Sequence, residues 1–302
     1  MNSFAAPSTS VRLDTSRFIT FARDIKISHS IFALPFALLS AFLAAGGSPR
    51  LGQLILIVAC MITARTVAMS SNRLLDAELD AKNPRTAKRA IPSGQLSRLF
   101  VASVLAACGF AFVLSTALFG FIHQNWLPLI LALPVLLFVV AYPLLKRFTQ
   151  LCHYYLGAAL ALAPVCAWIA IKGDIELPPL LMAGAVLCWT AGFDIIYACQ
   201  DYRSDLETGV ISVPSRLGIA KALWVSRATH VASLVLMIAL GSVAKDLGTL
   251  YFVGVACAGI LLIVEHSLVS ANDLSKIGIA FFTVNGLISL LLGTLGIIDV
   301  LL

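Results

Sequence analysis

Nine apolar stretches constrain this chain more than any other feature. They run over about 28–46, 52–75, 97–121, 126–145, 151–171, 177–200, 221–243, 248–270 and 277–301, separated by polar connections. A helix crossing a bilayer needs roughly 20 predominantly apolar residues, and each stretch is close to that length. With 60% hydrophobic and 12% charged residues and a mean hydropathy of +0.96, the apolar material exceeds what one soluble core takes up. The expected fold is an all-α polytopic membrane protein of about nine transmembrane helices. Residues 1–22 are polar and mixed, without the basic start, apolar run and cleavage site of a signal peptide. They are expected to form a loose cytoplasmic tail ahead of a single membrane domain over 23–302.

Lysine and arginine orient the spans. Seventeen of the 21 fall at one side, three (Arg50, Lys172, Lys245) at the other, and Arg65 lies within a span. Basic residues collect in cytoplasmic loops, so the N-terminus is expected to be cytoplasmic and, with nine spans, the C-terminus outside. The net charge of +6 follows from that topology. Its basic residues are split among short loops with no aromatic-basic stripe, so nucleic acid is not an expected partner. The seven cysteines are scattered without a Cys-x-x-Cys pair and read as small buried hydrophobes.

Two acidic clusters stand at the cytoplasmic ends of spans. One is Asn72-x-x-x-Asp76-x-x-x-Asp80. The other is Tyr197-x-x-x-Asp201-x-x-x-Asp205, with Asp194 one turn earlier, and its members follow those of the first at a constant offset of 125 residues. A spacing of four puts each set on one helical face. The offset covers four spans, which restores direction and brings both clusters to the same side. The pattern reads as a parallel repeat, helices 1–4 matching helices 5–8, with a ninth helix added. Pro35 and Pro164, and His29 and His153, are weaker echoes of the same repeat. The prolines read as kinks and the histidines as packing groups at the interface.

Carboxylates at a membrane boundary are costly unless compensated. Several aimed together ask for a hard cation such as Mg²⁺, which takes oxygen ligands, and Asn72 adds a neutral oxygen. Each acidic helix is followed by a basic connection, about 81–95 and 206–220, longer than a bundle requires. Carboxylates alone repel a diphosphate, but bridged by metal ions they attract one, and Arg and Lys hold its remaining oxygens. The apolar bundle accommodates a hydrocarbon tail. Aromatic faces stabilise a carbocation, and Tyr197, Tyr154, Tyr155 and Phe148 lie near the required depth. Together these point to a prenyl diphosphate.

Asn72-Arg73-x-x-Asp76-x-x-x-Asp80-x-x-Asn83-Pro84-Arg85-Thr86, followed by Arg89-x-x-Pro92-x-Gly94, resembles the first signature of the UbiA-type intramembrane aromatic prenyltransferases. Asp194-x-x-Tyr197-x-x-x-Asp201-x-x-x-Asp205 resembles their second, and the likeness runs from Lys26 through the ninth span. Phe32-Ala33-Leu34-Pro35-Phe36 is similar to the 4-hydroxybenzoate polyprenyltransferases and to a close branch serving menaquinone through another aromatic acid.

The resemblance implies nine helices around a central cavity and Mg²⁺-dependent transfer of a polyprenyl chain from its diphosphate to an aromatic acid, in a bacterial inner membrane with a cytoplasmic active site. It implies that Asn72, Asp76 and Asp80 hold one metal region and Asp201 and Asp205 the other. Candidates for the diphosphate oxygens are then Arg85, Lys88, Arg89, Lys146, Arg147 and Arg203. Asp194 would orient the phenol or take its proton, Tyr197 would line the reaction site, and Arg65, about 10 Å below Asn72, would bind the acid's carboxylate or pair with Asp194. Positive-inside residues need no ligand, however, and Lys146 and Arg147 also suit snorkelling anchors. Glu265 and His266 read as a pair or as loop-facing. An ion-coupled transporter also shows parallel repeats and intramembrane acids, but places them near midplane. A prenyltransferase with a non-aromatic acceptor, such as a glycerol-phosphate lipid or haem, is a further alternative, since acceptor identity, prenyl length and oligomeric state are not written in the residues.

Overall fold

The computed structural model describes residues 15–26 and 32–302; His29, the start of the first expected span and most of the tail lie outside them. Helix α1 covers Thr15–Asp24. This corrects the loose tail, whose last residues fold because Phe21 and Ile25, four apart, bury one face against Ala90, Leu96 and Val101.

The bundle follows as α2 (Leu34–Ala45), α3 (Leu51–Lys82), α4 (Arg98–His123), α5 (Leu127–Ala141), α6 (Cys152–Lys172) and α7 (Leu177–Ala198). The chain then forms the short α8 (Tyr202–Thr208) and α9 (Val213–Leu217), and closes with α10 (Ile219–Val243), α11 (Thr249–Ser267) and α12 (Asn285–Leu301). Single 3-10 turns extend α5 through Tyr142–Arg147 and join α7 to α8 at Cys199–Asp201, and a π-turn, Ile279–Val284, leads into α12. Among the described residues eight helical segments are long and apolar enough to cross a membrane, and α2, of 12 residues, is a shorter apolar helix. With α2 this accounts for the nine expected spans.

The two acidic helices are the longest. Leu51–Lys82 and the α7–α8 segment Leu177–Thr208 are each 32 residues, and α3 alone gives about 48 Å of helix against a hydrocarbon layer of about 30 Å. Both segments are thus longer than a crossing requires. The connections beyond them are folded rather than open. Thr86 is buried and donates its hydroxyl to Asp80 O at 3.0 Å, and Ile211 N–H donates to Lys146 O at 2.7 Å.

Close helix contacts come from small residues, as lipid-facing bundles require. A Cβ on Gly157 of α6 would lie 2.4 Å from Leu187 O of α7. Pro35 sits in the first turn of α2, where its missing N–H costs nothing, and not in a kink. Pro164 does lie inside α6, and its carbonyl accepts a hydrogen bond from Ser40 Oγ at 2.6 Å. Glu265 is buried and faces no loop: its Oε1 accepts from Asn285 Nδ2 at 2.9 Å, while the His266 ring meets that of His230.

Candidate active site

The four-residue spacing on α3 does what helical geometry requires. Asn72, Asp76 and Asp80 share one face, and Asp76 and Asp80 are buried. Asp76 Oδ2 accepts from Asn72 Nδ2 and from Lys146 Nζ, both at 2.6 Å. Lys146 reaches it from the 3-10 turn after α5, a cation with no place on α3 itself. Both Asp80 oxygens accept from Arg89 Nη1 at 2.8 Å.

The second cluster is joined to the first through the connection after α3. Asn83 Nδ2 donates to Asp201 Oδ1 at 2.8 Å, and Arg85 grips the same carboxylate with Nε and Nη2 at 2.8 and 2.6 Å. Arg85 Nη1 also donates to Tyr197 OH at 3.2 Å, with the guanidinium 5.3 Å from that ring's centre. Burial disfavours the Arg85 cation, but the hydrogen bond and charge of Asp201 outweigh it and the pKa rises, so this guanidinium stays charged. Asp205 is buried and accepts from Ser212 Oγ at 2.8 Å.

Asp194 lies about 10 Å along the helix from Asp201. Its Oδ2 meets His153 Nδ1 at 2.7 Å, while Val213 N–H donates to His153 Nε2 at 3.2 Å. Because Nε2 accepts from an amide, the ring proton belongs on Nδ1, which donates to Asp194. Arg65 Nη2 donates to the carbonyls of Lys26 and Ile25 at 2.7 and 3.3 Å. Arg65 and Asp194 both line a cavity of about 280 Å³, walled mainly by apolar side chains of α3 to α7, Phe112, Phe119 and Phe193 among them, together with Phe281 of the π-turn. A mostly apolar pocket with a few convergent polar groups is the usual form of a small-molecule site.

The remaining expected groups sit farther from the carboxylates. Arg147 is exposed and donates to Leu75 O at 2.6 Å, which anchors it to α3. Lys88 and Arg203 are exposed, with no hydrogen bond or ion pair among the described residues. Several residues were not assigned a role from sequence. Arg73, 3% exposed, donates through Nε and Nη2 to the side chain and carbonyl of Asp24 and through Nη1 to Asn72 Oδ1 at 2.6 Å. Asp24 also accepts from Ala90 N–H at 2.9 Å. Asn83 stood in the motif without a stated task, and nothing in the spacing pointed to Asp24 or to His153 as the partner of Asp194.

The donor set suits a hard divalent cation: four carboxylates and an amide at one end of the bundle, with Asp76 Oδ1 buried and without a hydrogen-bond partner among the described residues. No three His, Cys, Asp or Glu side chains among the described residues are already gathered into a cage. The carboxylates stand as two half-sites, each paired with bases.

The family model described as the UbiA prenyltransferase family matches residues 33–287. The chain belongs to that family. Among curated relatives, the mitochondrial 4-hydroxybenzoate polyprenyltransferase of Drosophila melanogaster is 32% identical over 222 residues, covering 72% of this chain and 54% of the relative. The chain thus spans about half the length of that mitochondrial relative. The 4-hydroxybenzoate octaprenyltransferase of Serratia proteamaculans is 30% identical over 269 residues, covering 86% of this chain and 89% of the relative. The apo structure of a UbiA homologue from Aeropyrum pernix superposes with a TM-score of 0.81 at 32% identity, covering 91% of this chain and 99% of that one. Membership in the UbiA prenyltransferase family removes the transporter alternative and makes prenyl transfer the chemistry against which the site is read.

Proposed function

We propose that this chain transfers a polyprenyl group from polyprenyl diphosphate to 4-hydroxybenzoate, at the ring carbon ortho to the hydroxyl, in ubiquinone biosynthesis. The observation that carries this is the placement of Arg65 on α3 and Asp194 on α7 in the wall of the apolar cavity, short of the carboxylates carried farther along α3 and, beyond α7, by the 3-10 turn and α8. A prenyl chain fits the apolar wall, a carboxylate suits Arg65, and a phenol suits Asp194. The named acceptors of the relatives support the same choice.

Each residue then has a task. Asn72, Asp76 and Asp80 would hold one Mg²⁺ and Asp201 and Asp205 another, where the bound metal would supply charge neutralisation for a diphosphate and its leaving group. Arg85, Arg89 and Lys146, already at the carboxylates, bind the diphosphate oxygens, with Lys88 and Arg203 at the exposed rim. The C–O bond to the diphosphate breaks, and the allylic cation so formed is held between aromatic faces that include Tyr197. The electron-rich ring carbon attacks it, and Asp194, oriented by His153, takes or relays the proton that the ring system releases. Arg65 holds the acid's carboxylate so that the ortho carbon faces the cation.

The reading further puts the N-terminus and acidic cap of this multi-pass protein in the cytoplasm, on the strength of the basic-residue bias, and the protein in a bacterial inner membrane, by its likeness to a bacterial octaprenyltransferase. Membranes containing the chain, supplied with Mg²⁺, a long-chain prenyl diphosphate and labelled 4-hydroxybenzoate, should form a lipophilic labelled product that Asp76→Ala membranes do not. Product only with a dihydroxynaphthoate would move the acceptor to menaquinone synthesis. No product with any aromatic acid would overturn the aromatic acceptor.

A further inference from the structure

A buried polar cluster away from the acidic cap joins α7, α11 and α12. Trp189, Glu265 and Asn285 are each 0% exposed. Trp189 Nε1 donates to Asn285 Oδ1 at 2.7 Å. Asn285 Nδ2 in turn faces Glu265 Oε1 at 2.9 Å, Ala280 O at 3.0 Å and Phe281 O at 3.2 Å. Two amide hydrogens therefore serve three acceptors, and every polar atom of the Asn285 side chain is used. A carboxyl buried at this depth is costly unless it holds something. Here it holds Asn285, with Glu265 Oε2 left without a partner among the described residues.

Ala280 and Phe281 belong to the π-turn Ile279–Val284. Such turns are rare and are found mostly at functional sites. The turn carries one residue more than an α-helical turn would. Removing that residue would rotate Phe281 by about 100° around the axis. As built, the Phe281 ring lies 4.1 Å from that of Tyr197, and edge-on to Phe193 at 5.3 Å and Phe32 at 5.6 Å. Phe32, Phe193 and Phe281 all line the cavity. Trp189, fixed by the same amide, packs edge-on against Phe193 at 5.0 Å.

We infer that Asn285, oriented by Glu265 and Trp189, is a positioning residue: it fixes the π-turn that sets Phe281 against Tyr197 as part of the aromatic wall met by the allylic end of the prenyl chain. The assignment of that wall to the allylic end rests on the prenyltransferase reading above. Asn285 touches no substrate and acts through Phe281.

The test compares Asn285→Ala, Glu265→Gln, Phe281→Leu and the double variant Asn285→Ala with Phe281→Leu, in the full chain in detergent and in membranes. One readout is amide hydrogen exchange over residues 279–285. The other is kcat/KM for prenyl diphosphate beside KM for the aromatic acid. Asn285→Ala is expected to speed exchange across the turn and to lower kcat/KM on the order of tenfold to a hundredfold, the scale of a misplaced reacting group, with KM for the acid unchanged. Glu265→Gln keeps an acceptor oxygen and should stay close to the parent in both. The double variant should be no worse than Phe281→Leu alone. Parent-like exchange in Asn285→Ala, or losses that multiply in the double variant, would overturn the inference. If Asn285→Ala does not fold, Glu265→Leu replaces it, and parent-like behaviour there overturns the inference equally. A parent chain without transferase activity would remove the proposed function, while the exchange comparison would still decide whether Asn285 holds the turn.

Discussion

Arg85 and Asp201 are 116 residues apart in sequence and joined by two parallel hydrogen bonds, Nε to Oδ1 at 2.8 Å and Nη2 to Oδ2 at 2.6 Å. This fork ties the connection after α3 to the end of α7, so each half of the repeat supplies a group to the other. Only a planar guanidinium offers that geometry. Arg85→Lys is therefore expected to behave more like Arg85→Ala than like the parent. Loss of a charged hydrogen bond costs about 1.5–3 kcal/mol, which predicts a fall of roughly tenfold to a hundredfold in kcat/KM for prenyl diphosphate. Steady-state transfer assays on both variants measure this, and a fully active lysine variant would rule out the bidentate role.

Asp76 is the most deeply buried carboxylate of the cap, with one oxygen held by Lys146 and Asn72 and the other unpartnered. Replacing it with alanine removes a metal donor and leaves Lys146 without its ion-pair partner. Turnover should be lost while the protein remains in the membrane, and chelation of divalent cations should silence the parent in the same way. Excess Mg²⁺ should restore the chelated parent but not Asp76→Ala. Mg²⁺-dependent turnover in Asp76→Ala near the parent rate would remove Asp76 from the metal set.

How much was legible follows from the range of the interactions. The acidic clusters could be read because a spacing of four at the end of an apolar span fixes a helical face without knowledge of the fold. The existence of the spans could be read from their apolar length, but not their edges: the span expected over 52–75 continues as helix to Lys82. Helix α1 was missed because it is short, and its Phe21 and the adjoining Ile25 gain a partner only when Ala90, Leu96 and Val101 fold over them. The pairing of Asp194 with His153, 41 residues away, depends on how α6 packs against α7. No pattern within one helix encodes it. Arg65 and Asp194 could be named as candidates, but their shared cavity is a property of the whole bundle.

His153 is buried, and its Nδ1 is the group that meets and orients Asp194. His153→Ala should leave KM for prenyl diphosphate near that of the parent, because none of the cap carboxylates Asp76, Asp80, Asp201 and Asp205 hydrogen-bonds to His153. It should lower kcat by about tenfold or more, in the range set by the loss of an oriented acid-base group. Separate titrations of the two substrates give the split. A variant whose only change is a weaker grip on the diphosphate would place His153 with the cap instead.

The charge bias predicts opposite accessibility for the two ends of the chain. A cysteine placed near the C-terminus, after Leu301, in a background lacking the native cysteines, should react with a membrane-impermeant thiol reagent in intact cells. One replacing Lys88 in the basic cap should react only after the cells are opened. Reaction of both from the same side would break the nine-span count.

Gly157 sets the distance between the two helices that carry His153 and Asp194. A Cβ there would meet a backbone carbonyl, Leu187 O, at 2.4 Å, which a side-chain movement cannot relieve. At Gly184 the nearest atom is the flexible end of Leu236 at 3.2 Å. Gly157→Ala is therefore expected to force α6 and α7 apart, at about 1–3 kcal/mol of stability, and to lengthen the His153–Asp194 hydrogen bond at the same time. Its melting temperature and its kcat should both fall. Gly184→Ala, where the neighbour can turn aside, should change either one little. Thermal unfolding in detergent and transfer assays on the pair distinguish the cases. Equal effects at the two glycines would mean that α6–α7 spacing is not what holds the histidine to the aspartate.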